Sequence, residues 1–376
     1  MSLTFKYGHA PELRPDGAVW IGPNLHGRAT QLRDPSGVLW EVCEALDGTR
    51  SRDGVIAAAL ERRADAEARG VGEIIDYFVN SGWVEDDEAP IPAGLTERDL
   101  ERHSRGAVFL SAVDFRPGAT GYGLQARLKA SSVAVLGLGG VGSAVAMSLA
   151  ASGIGRLHCV DHDKVELSNL NRQLLYTEHD IGEPKVRAAV SRLRALNGDI
   201  EVTGSASAVD GPDAIAREIE GCDIAVLCAD TPSFVIREWM DEATWRLGVP
   251  WLCAHYDGPK FSTACFIPGR TPCHSCLRET ARQVQAQDGR APVLPSHAGT
   301  AHPFHAVLAP SAQISGHYLA MEAIKLLLGL EVQTAGRELC RFVTDYEQWF
   351  YHEARSQPDC RVRCGERAEA VERTAP

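Results

Sequence analysis

The chain holds no stretch of about 18 uncharged apolar residues, so nothing in it reads as a membrane-spanning helix. Its first residues, Met1 to Tyr7, lack the apolar segment of a secretory signal, and a cytoplasmic protein with no membrane partner is expected. An excess of basic charge is also missing. With 38 Lys and Arg against 50 Asp and Glu, the net charge of -12 opposes the phosphate neutralisation that nucleic-acid binding needs, and no nucleic-acid partner is expected. Nothing places the 11 cysteines in an oxidising compartment, so metal ligation and buried thiols are expected rather than disulfides. At 376 residues the chain is too long for one small core and suits two or three domains.

What is present is organised around residues 133 to 150. An apolar run, Val133-Ala-Val-Leu136, leads into Gly137-Leu-Gly-Gly-Val-Gly142 and then into Ser143 to Ala150 at helical spacing. That is a strand, a Gly-x-Gly-x-x-Gly turn (Gly137, Gly139, Gly142, with Gly140 between them) and a helix start. Glycines permit close approach of backbone to a phosphate, and the first N–H groups of the helix point at it unpaired. A nucleotide site follows, but the turn alone serves dehydrogenases, methyltransferases and adenylating enzymes alike.

The front of the chain is a separate organisation. Leu13 to Ile21 reads as a turn into a short strand, and Leu39, Trp40, Cys43 and Leu46 fall on one helical face closed by Asp47-Gly48. Val55 to Leu60 continues as a helix into the charged run 61–69, and Ile74, Ile75 and Phe78 stripe a further helix before Gly82-Trp-Val-Glu85. The order suggests a small winged-helix-like α+β domain. Residues 1–95 carry 16 acidic against 9 basic side chains, which excludes the DNA partner usual for such a fold. With Pro11-x-Leu-x-Pro-Asp-Gly17, Leu46-Asp-Gly-Thr49 and Gly82-Trp-Val-Glu85, residues 1–88 resemble the PqqD-like precursor-peptide recognition domains, which take up a leader peptide as an added edge strand. A solvated capping domain is the alternative. The Pro-, Gly- and acid-bearing stretch 89–100 reads as a linker into a larger domain over 101–376.

Behind the glycine turn, the second strand Arg156 to Asp161 ends in an acid where a ribose hydroxyl is usually held. A dehydrogenase would fit to this point. The polar stretch after it, with Asn169, Arg172 and Gln173, and the helix opened by Gly182-Glu-Pro-Lys185 would not. A triphosphate that loses pyrophosphate calls for cations beyond a glycine turn, and Arg172 and Lys185 could supply them. Strands over 199–203, 223–228 and 249–253 and a helix over 233–247, with Phe234, Ile236, Trp239 and Met240 as core, complete a Rossmann-like, mostly parallel α/β sheet with helices on both faces. Asp230 sits at a strand's carboxyl end, where ligands of such sheets lie, and could equally cap the helix that follows.

Gly137-Leu-Gly-Gly-Val-Gly142, the Asp161-x-Asp163 pair, Ser168-Asn-Leu-Asn-Arg-Gln173, Gly182-x-Pro-Lys185 and Cys228-Ala-Asp230 together resemble the ThiF superfamily of ubiquitin-activating-enzyme-like adenylating enzymes. The resemblance covers residues from about 100 onward. It implies ATP and Mg²⁺ as ligands, with Asp161 on the ribose, Asn169, Arg172 and Lys185 on the phosphates, and Asp230 helping to position Mg²⁺. Arg105, in Arg102-His-Ser-Arg105, matches the arginine that family members extend to the partner's nucleotide, which implies a homodimer.

Two short cysteine pairs, Cys273-x-x-Cys276 and Cys360-x-x-x-Cys364, are spaced to share one structural zinc that ties the end of the chain back onto the domain. The ThiF family has such a zinc, usually with Cys-x-x-Cys in both pairs; free thiols are the alternative. Most of the other cysteines lie in or beside apolar runs and read as buried thiols. None lies between Leu277 and Pro310, where relatives that form a thioester or persulfide often carry one, so no covalent cysteine intermediate is expected. Residues 279–305 read as a long polar crossover loop, and its His297, His302 and His305 as solvated residues rather than a metal cluster. Pro310 to Leu330 reads as a long core helix, followed by a closing hairpin.

The peptide-recognition-like front and the complete adenylating core together resemble the microcin-maturing enzymes. The expected function is ATP-dependent adenylation of a carboxylate or amide on a short ribosomally made peptide. The alternatives are a sulfur-carrier adenylyltransferase and a non-catalytic peptide clamp serving an azole-forming cyclodehydratase, with a dehydrogenase more distant.

Overall fold

The computed structural model describes residues 2–23, 29–233, 235–287, 306–342 and 345–366. His297, His302, His305 and Phe234, singled out above, lie outside the described residues. The chain divides into two units, Met1–Arg127 and Leu128–Pro376.

In the first unit β1 (Leu3–Phe5) is followed by a three-stranded antiparallel sheet of β2 (Pro11–Leu13), β3 (Ala18–Ile21) and β4 (Thr30–Arg33). Three helices come next: α1 (Val38–Ala45), α2 (Arg52–Arg62) and α3 (Ala68–Asn80). Strand β5 (Val84–Asp86) returns to pair antiparallel with β1. The charged run 61–69 does not extend one helix, as its composition suggested, because α2 stops at Arg62 and α3 starts at Ala68. The break lets Val55 and Ala59 of α2 face the same core as Val71, Ile75 and Phe78 of α3, and all five are fully buried. Helix α4 (Glu97–Val113) begins on a reciprocal cap between Thr96 and Asp99. Just beyond its end, the Asp114 carbonyl accepts a hydrogen bond from the buried Lys6 ammonium at 2.8 Å. Burial pulls the Lys6 pKa below the usual lysine range.

After α5 (Gly121–Ala130), the second unit forms around an eight-stranded sheet. In chain order the elements are β6 (Ser132–Leu136), α6 (Gly140–Ala151), β7 (Arg156–Val160), α7 (Lys185–Leu196), β8 (Glu201–Ser205), α8 (Pro212–Ile219), β9 (Ile224–Leu227), α9 (Val235–Leu247), β10 (Trp251–Asp257), β11 (Lys260–Phe266), α10 (His274–Gln287), α11 (Ala309–Leu328), β12 (Arg337–Phe342) and β13 (Asp345–Glu353). The spatial order is β13-β12-β11-β10-β9-β6-β7-β8. Strands β10, β9, β6, β7 and β8 run parallel, and β11, β12 and β13 extend the sheet antiparallel. The chain reverses its direction across the sheet between β6 and β9, and such switch points open a crevice at the strands' carboxyl ends. This is the mostly parallel α/β sheet that the motifs implied. The stretch read as loop from residue 279 is helical through Gln287, because Glu279 holds Arg282 and Gln283 one turn on at 2.9 and 3.1 Å.

Helix α11 is set against α6 at Gly316, where a β-carbon would lie 2.5 Å from the Ala144 β-carbon and 2.6 Å from the Val141 carbonyl oxygen. Hydrogen at this position therefore fixes the distance between the two helices. Gly316→Ala is expected to destabilise the protein by about 1–3 kcal/mol through overpacking, read as a lower urea midpoint at unchanged slope. An unchanged midpoint would show that the helices can separate at no cost.

Candidate active site

Strand β6 is buried along its whole length and delivers the chain into the glycine turn. Gly137 has φ +93°, and a β-carbon there would come 2.5 Å from the Ala229 nitrogen at the end of β9. At Gly142 a β-carbon would sit 1.8 Å from the Gly137 carbonyl oxygen. These two glycines are thus required by the folded backbone itself, whereas Gly139 and Gly140 face the crevice with the uncapped start of α6. Asp161, buried at the end of β7, closes the turn: its carboxylate accepts from the Leu138 N–H at 2.7 Å and from the Asp163 N–H at 2.8 Å. Tyr176 adds a third tie, donating to the Leu138 carbonyl at 3.0 Å.

One cavity of about 1000 Å³ opens over this turn. It is lined by Gly137, Gly139, Gly140, Asp161, Asp163, Asn169, Arg172, Gln173, Lys185 and Asp230, which brings together all but two of the residues singled out for nucleotide. Gly142 lies beneath the turn and does not line it. Arg105 belongs to the first unit, where it is exposed on α4. Lys185 opens α7 with its side chain buried and its ammonium 2.8 Å from Asp163, whose carboxylate is half exposed. Asn169 is held by a short 3₁₀ turn, its amide oxygen accepting from the Glu166 N–H at 3.1 Å. Asp230 is exposed beyond β9 and accepts from the Thr231 hydroxyl at 3.2 Å.

Among the lining residues singled out for nucleotide, two have a polar atom buried without a partner, Arg172 at Nε and Gln173 at Oε1. Buried donors and acceptors are almost always paired, so both are set for a ligand that supplies the partner. An anionic polyphosphate fits the donor set: a guanidinium, a lysine ammonium and the positive end of a 12-residue helix converge, and the carboxylates of Asp163 and Asp230 offer oxygen ligands of the kind Mg²⁺ prefers.

The rest of the cavity lining was not legible in the sequence. Arg237 of α9, Tyr256 of β10, Lys260 of β11 and Arg278 and Arg282 of α10 belong to it. Burial pushes the Tyr256 hydroxyl above its ordinary pKa, and the nearby Arg172 opposes the shift. Gln313 was also missed. From α11 its amide donates to the Gly140 carbonyl at 3.3 Å and to the Arg172 carbonyl at 3.0 Å, pinning the polar stretch to the glycine turn. The only amide side chain of α11, on its buried face, was the available signal.

Away from the cavity, Cys273, Cys276, Cys360 and Cys364 converge, with Sγ–Sγ separations of 3.6 Å (273 to 360), 3.5 Å (276 to 364) and 3.5 Å (360 to 364). Tetrahedral thiolates on zinc at about 2.3 Å stand about 3.8 Å apart, so the four cysteines fit that ion. Hydrogen bonds among the thiols pull Cys364 down and push Cys273 up, so the cluster shares its protons. His274 stays out of it and packs on Trp251 and Phe266, with ring centroids 6.0 and 5.7 Å away. The knuckle is oriented by Asp241 of α9, whose carboxylate accepts from the His274 N–H at 3.1 Å and from the Ser275 N–H and hydroxyl at 2.8 Å. Burial pushes the Asp241 pKa up to about 6.

The ThiF family profile matches residues 114–362. The sulfur carrier protein ThiS adenylyltransferase of Escherichia coli is 33% identical over 283 residues, which are 74% of this chain and the whole of that protein. The vegetative HesA protein of Trichormus variabilis is 37% identical over 183 residues, 49% of this chain and 65% of that one. Among solved structures, E. coli MccB with ATP superposes with a TM-score of 0.75 at 20% identity, over 96% of this chain and all of MccB. PaaA superposes with a TM-score of 0.70 at 22% identity, over 93% of this chain and 99% of PaaA. The glycine turn, its carboxylate clasp and the polyphosphate-ready cavity mark an ATP-dependent adenylyltransferase. The chain belongs to the ThiF family.

Asp241→Ala would strand the buried His274 N–H and the part-buried Ser275 N–H and hydroxyl, and is expected to cost about 3 kcal/mol of stability, read by urea unfolding. A loss below about 0.5 kcal/mol would show that the α10 start is held by other contacts.

Proposed function

We propose that the chain adenylates a carboxylate or amide of a ribosomally made precursor peptide, releasing pyrophosphate and using no covalent cysteine. The observation that carries this reading is the extent of the likeness. The E. coli ThiS adenylyltransferase accounts for 74% of the chain, whereas MccB, solved with ATP and with MccA, corresponds to 96% of it, first unit included. Residues 1–88 then serve as the peptide-recognition domain, 89–100 as a linker and 101–376 as the adenylating domain.

In this reading the ribose rests on Asp161, and the glycine turn with the α6 N-terminus receives the phosphates. A carboxylate oxygen of the peptide attacks the α-phosphorus; the new P–O bond forms as the bond to the bridging oxygen breaks and pyrophosphate leaves. The nucleophile is already ionised, so no general base is needed. Alignment and neutralisation of charge on the phosphoryl oxygens are what the protein supplies. Arg172, Lys185 and Asn169 face those oxygens, and Mg²⁺ near Asp230 would supply further neutralisation when bound. Arg105 reaches the nucleotide of a second copy in a homodimer. The four cysteines hold a structural zinc.

A second reading, activation of a sulfur-carrier protein, is favoured by the 33% identity to the ThiS adenylyltransferase over that protein's full length. ATP–pyrophosphate exchange separates the two. Exchange stimulated by short precursor peptides and not by a carrier ending in Gly-Gly is the expected result, and the reverse would select the second reading. Arg172→Ala and Asp230→Ala should each lower the exchange rate by about a hundredfold or more. Near-normal rates for both would remove them from the site.

Mixing inactive Arg105→Ala with inactive Arg172→Ala tests the arginine in trans. If subunits re-pair at random, one site of each mixed dimer is complete and roughly a quarter of wild-type exchange returns. No recovery after demonstrated subunit exchange would place Arg105 outside the partner's site.

A further inference from the structure

The antiparallel extension of the sheet carries a second group of metal-ligating side chains, distinct from the four-cysteine knuckle. Glu338 and Cys340 are two residues apart on β12 and share one face of it. His352 of β13 stands directly opposite Glu338 in the register of the pair. A ligand atom from each of the three lies within 4.8 Å of the other two. Cys340 is buried at 2% exposure, while Glu338 and His352 are half buried.

We propose that Glu338, Cys340 and His352 form a second, three-coordinate site for a zinc-class divalent cation, with a coordination position left open. The donor chemistry fits that class: a carboxylate oxygen, a thiolate sulfur and an imidazole nitrogen are the ligand types of borderline-soft Zn²⁺, and three protein ligands with an open position distinguish exchangeable from closed structural sites. Charge also balances, since one carboxylate and one thiolate match a divalent ion. The strands provide the rigidity, because opposed antiparallel residues hold their β-carbons about 5 Å apart whatever occupies the space between the side chains.

The surroundings support the assignment. His255 of β10 places its Nε2 3.7 Å from the Glu338 carboxylate, and the Ser262 hydroxyl lies 2.9 Å from the His255 Nδ1. This is the outer layer of imidazole and hydroxyl that orients a ligating carboxylate. Glu338 and His255 both line the large cavity, as Lys260 and Tyr256 do. A cation held here would therefore sit beside that cavity, where the open position suits an oxygen or sulfur donor entering with a substrate.

Metal content separates the two clusters. Purified protein is equilibrated with a small excess of ZnCl₂, desalted, and its zinc measured by mass spectrometry for the wild type, His352→Ala, the isosteric Glu338→Gln and Cys273→Ser. Two zinc ions per chain are expected, falling to one in His352→Ala, with the remaining ion retained there and lost in Cys273→Ser. Glu338→Gln should weaken the second ion at least tenfold in a chelator competition while the circular dichroism spectrum is unchanged. Co²⁺ added after a chelator has stripped the second zinc should occupy the emptied site and give a thiolate charge-transfer band in the near ultraviolet that Cys340→Ser abolishes. A zinc content that is the same in the wild type and His352→Ala, or a cobalt band indifferent to Cys340→Ser, overturns the proposal. Loss of zinc only in Cys273→Ser leaves the knuckle standing and removes this site. Loss only in His352→Ala does the opposite.

Discussion

A single carboxylate organises the second unit. Asp161 ends β7 and accepts from two backbone N–H groups, that of Leu138 inside the glycine turn and that of Asp163 in the segment leaving the strand. Without it, the buried Leu138 N–H at the switch point of the sheet would lack its acceptor, at about 1–3 kcal/mol. The same two bonds fix where the start of α6 points and where Asp163 stands, and Asp163 in turn receives Lys185. Positive charge therefore reaches the cavity in a defined place. A carboxylate that holds the backbone this way keeps further lone pairs, so its structural duty and its proposed contact with a ribose are compatible.

The second constraint lies at the antiparallel end of the sheet, where the chain is tied back on itself. Asp241 on α9 caps the start of α10, and α10 carries the first cysteine pair. The second pair arrives from beyond β13. A cation shared by the pairs would link segments some ninety residues apart, and closing so long a loop gains more than closing a short one. The residues between them include β12 and β13, which extend the sheet past the parallel core and supply Glu338 to the cavity wall. This stretch thus helps build the cavity wall.

Much of this was legible in the sequence because the chemistry is local. Gly137 to Gly142, Asp161, Asn169, Arg172 and Lys185 follow one another through a strand, a turn, a polar stretch and a helix start, and each motif states its own geometry. The cysteine pairs were legible for the same reason. What escaped was assembled by tertiary structure. Gln313 lies 173 residues beyond the Gly140 carbonyl it binds, and the further basic residues of the cavity arrive from three separate elements, α9, β11 and α10. The helical character of 279–287 escaped because its turns are held by charged pairs rather than an apolar stripe, and the break between α2 and α3 because a charged run carries no periodicity to show where a helix ends. The Glu338, Cys340 and His352 group exists only through strand register.

The central claim is that ATP lies over the glycine turn with its reactive phosphate held by Arg172 and Lys185. Crystals of the protein with Mg²⁺ and a non-hydrolysable ATP analogue test it most directly. The account predicts the ribose on Asp161, phosphate oxygens on the Gly139 and Gly140 N–H groups, and a phosphate oxygen within hydrogen-bond distance of the Arg172 Nε. A nucleotide bound elsewhere, or an Arg172 Nε still without a partner in the occupied site, would contradict it.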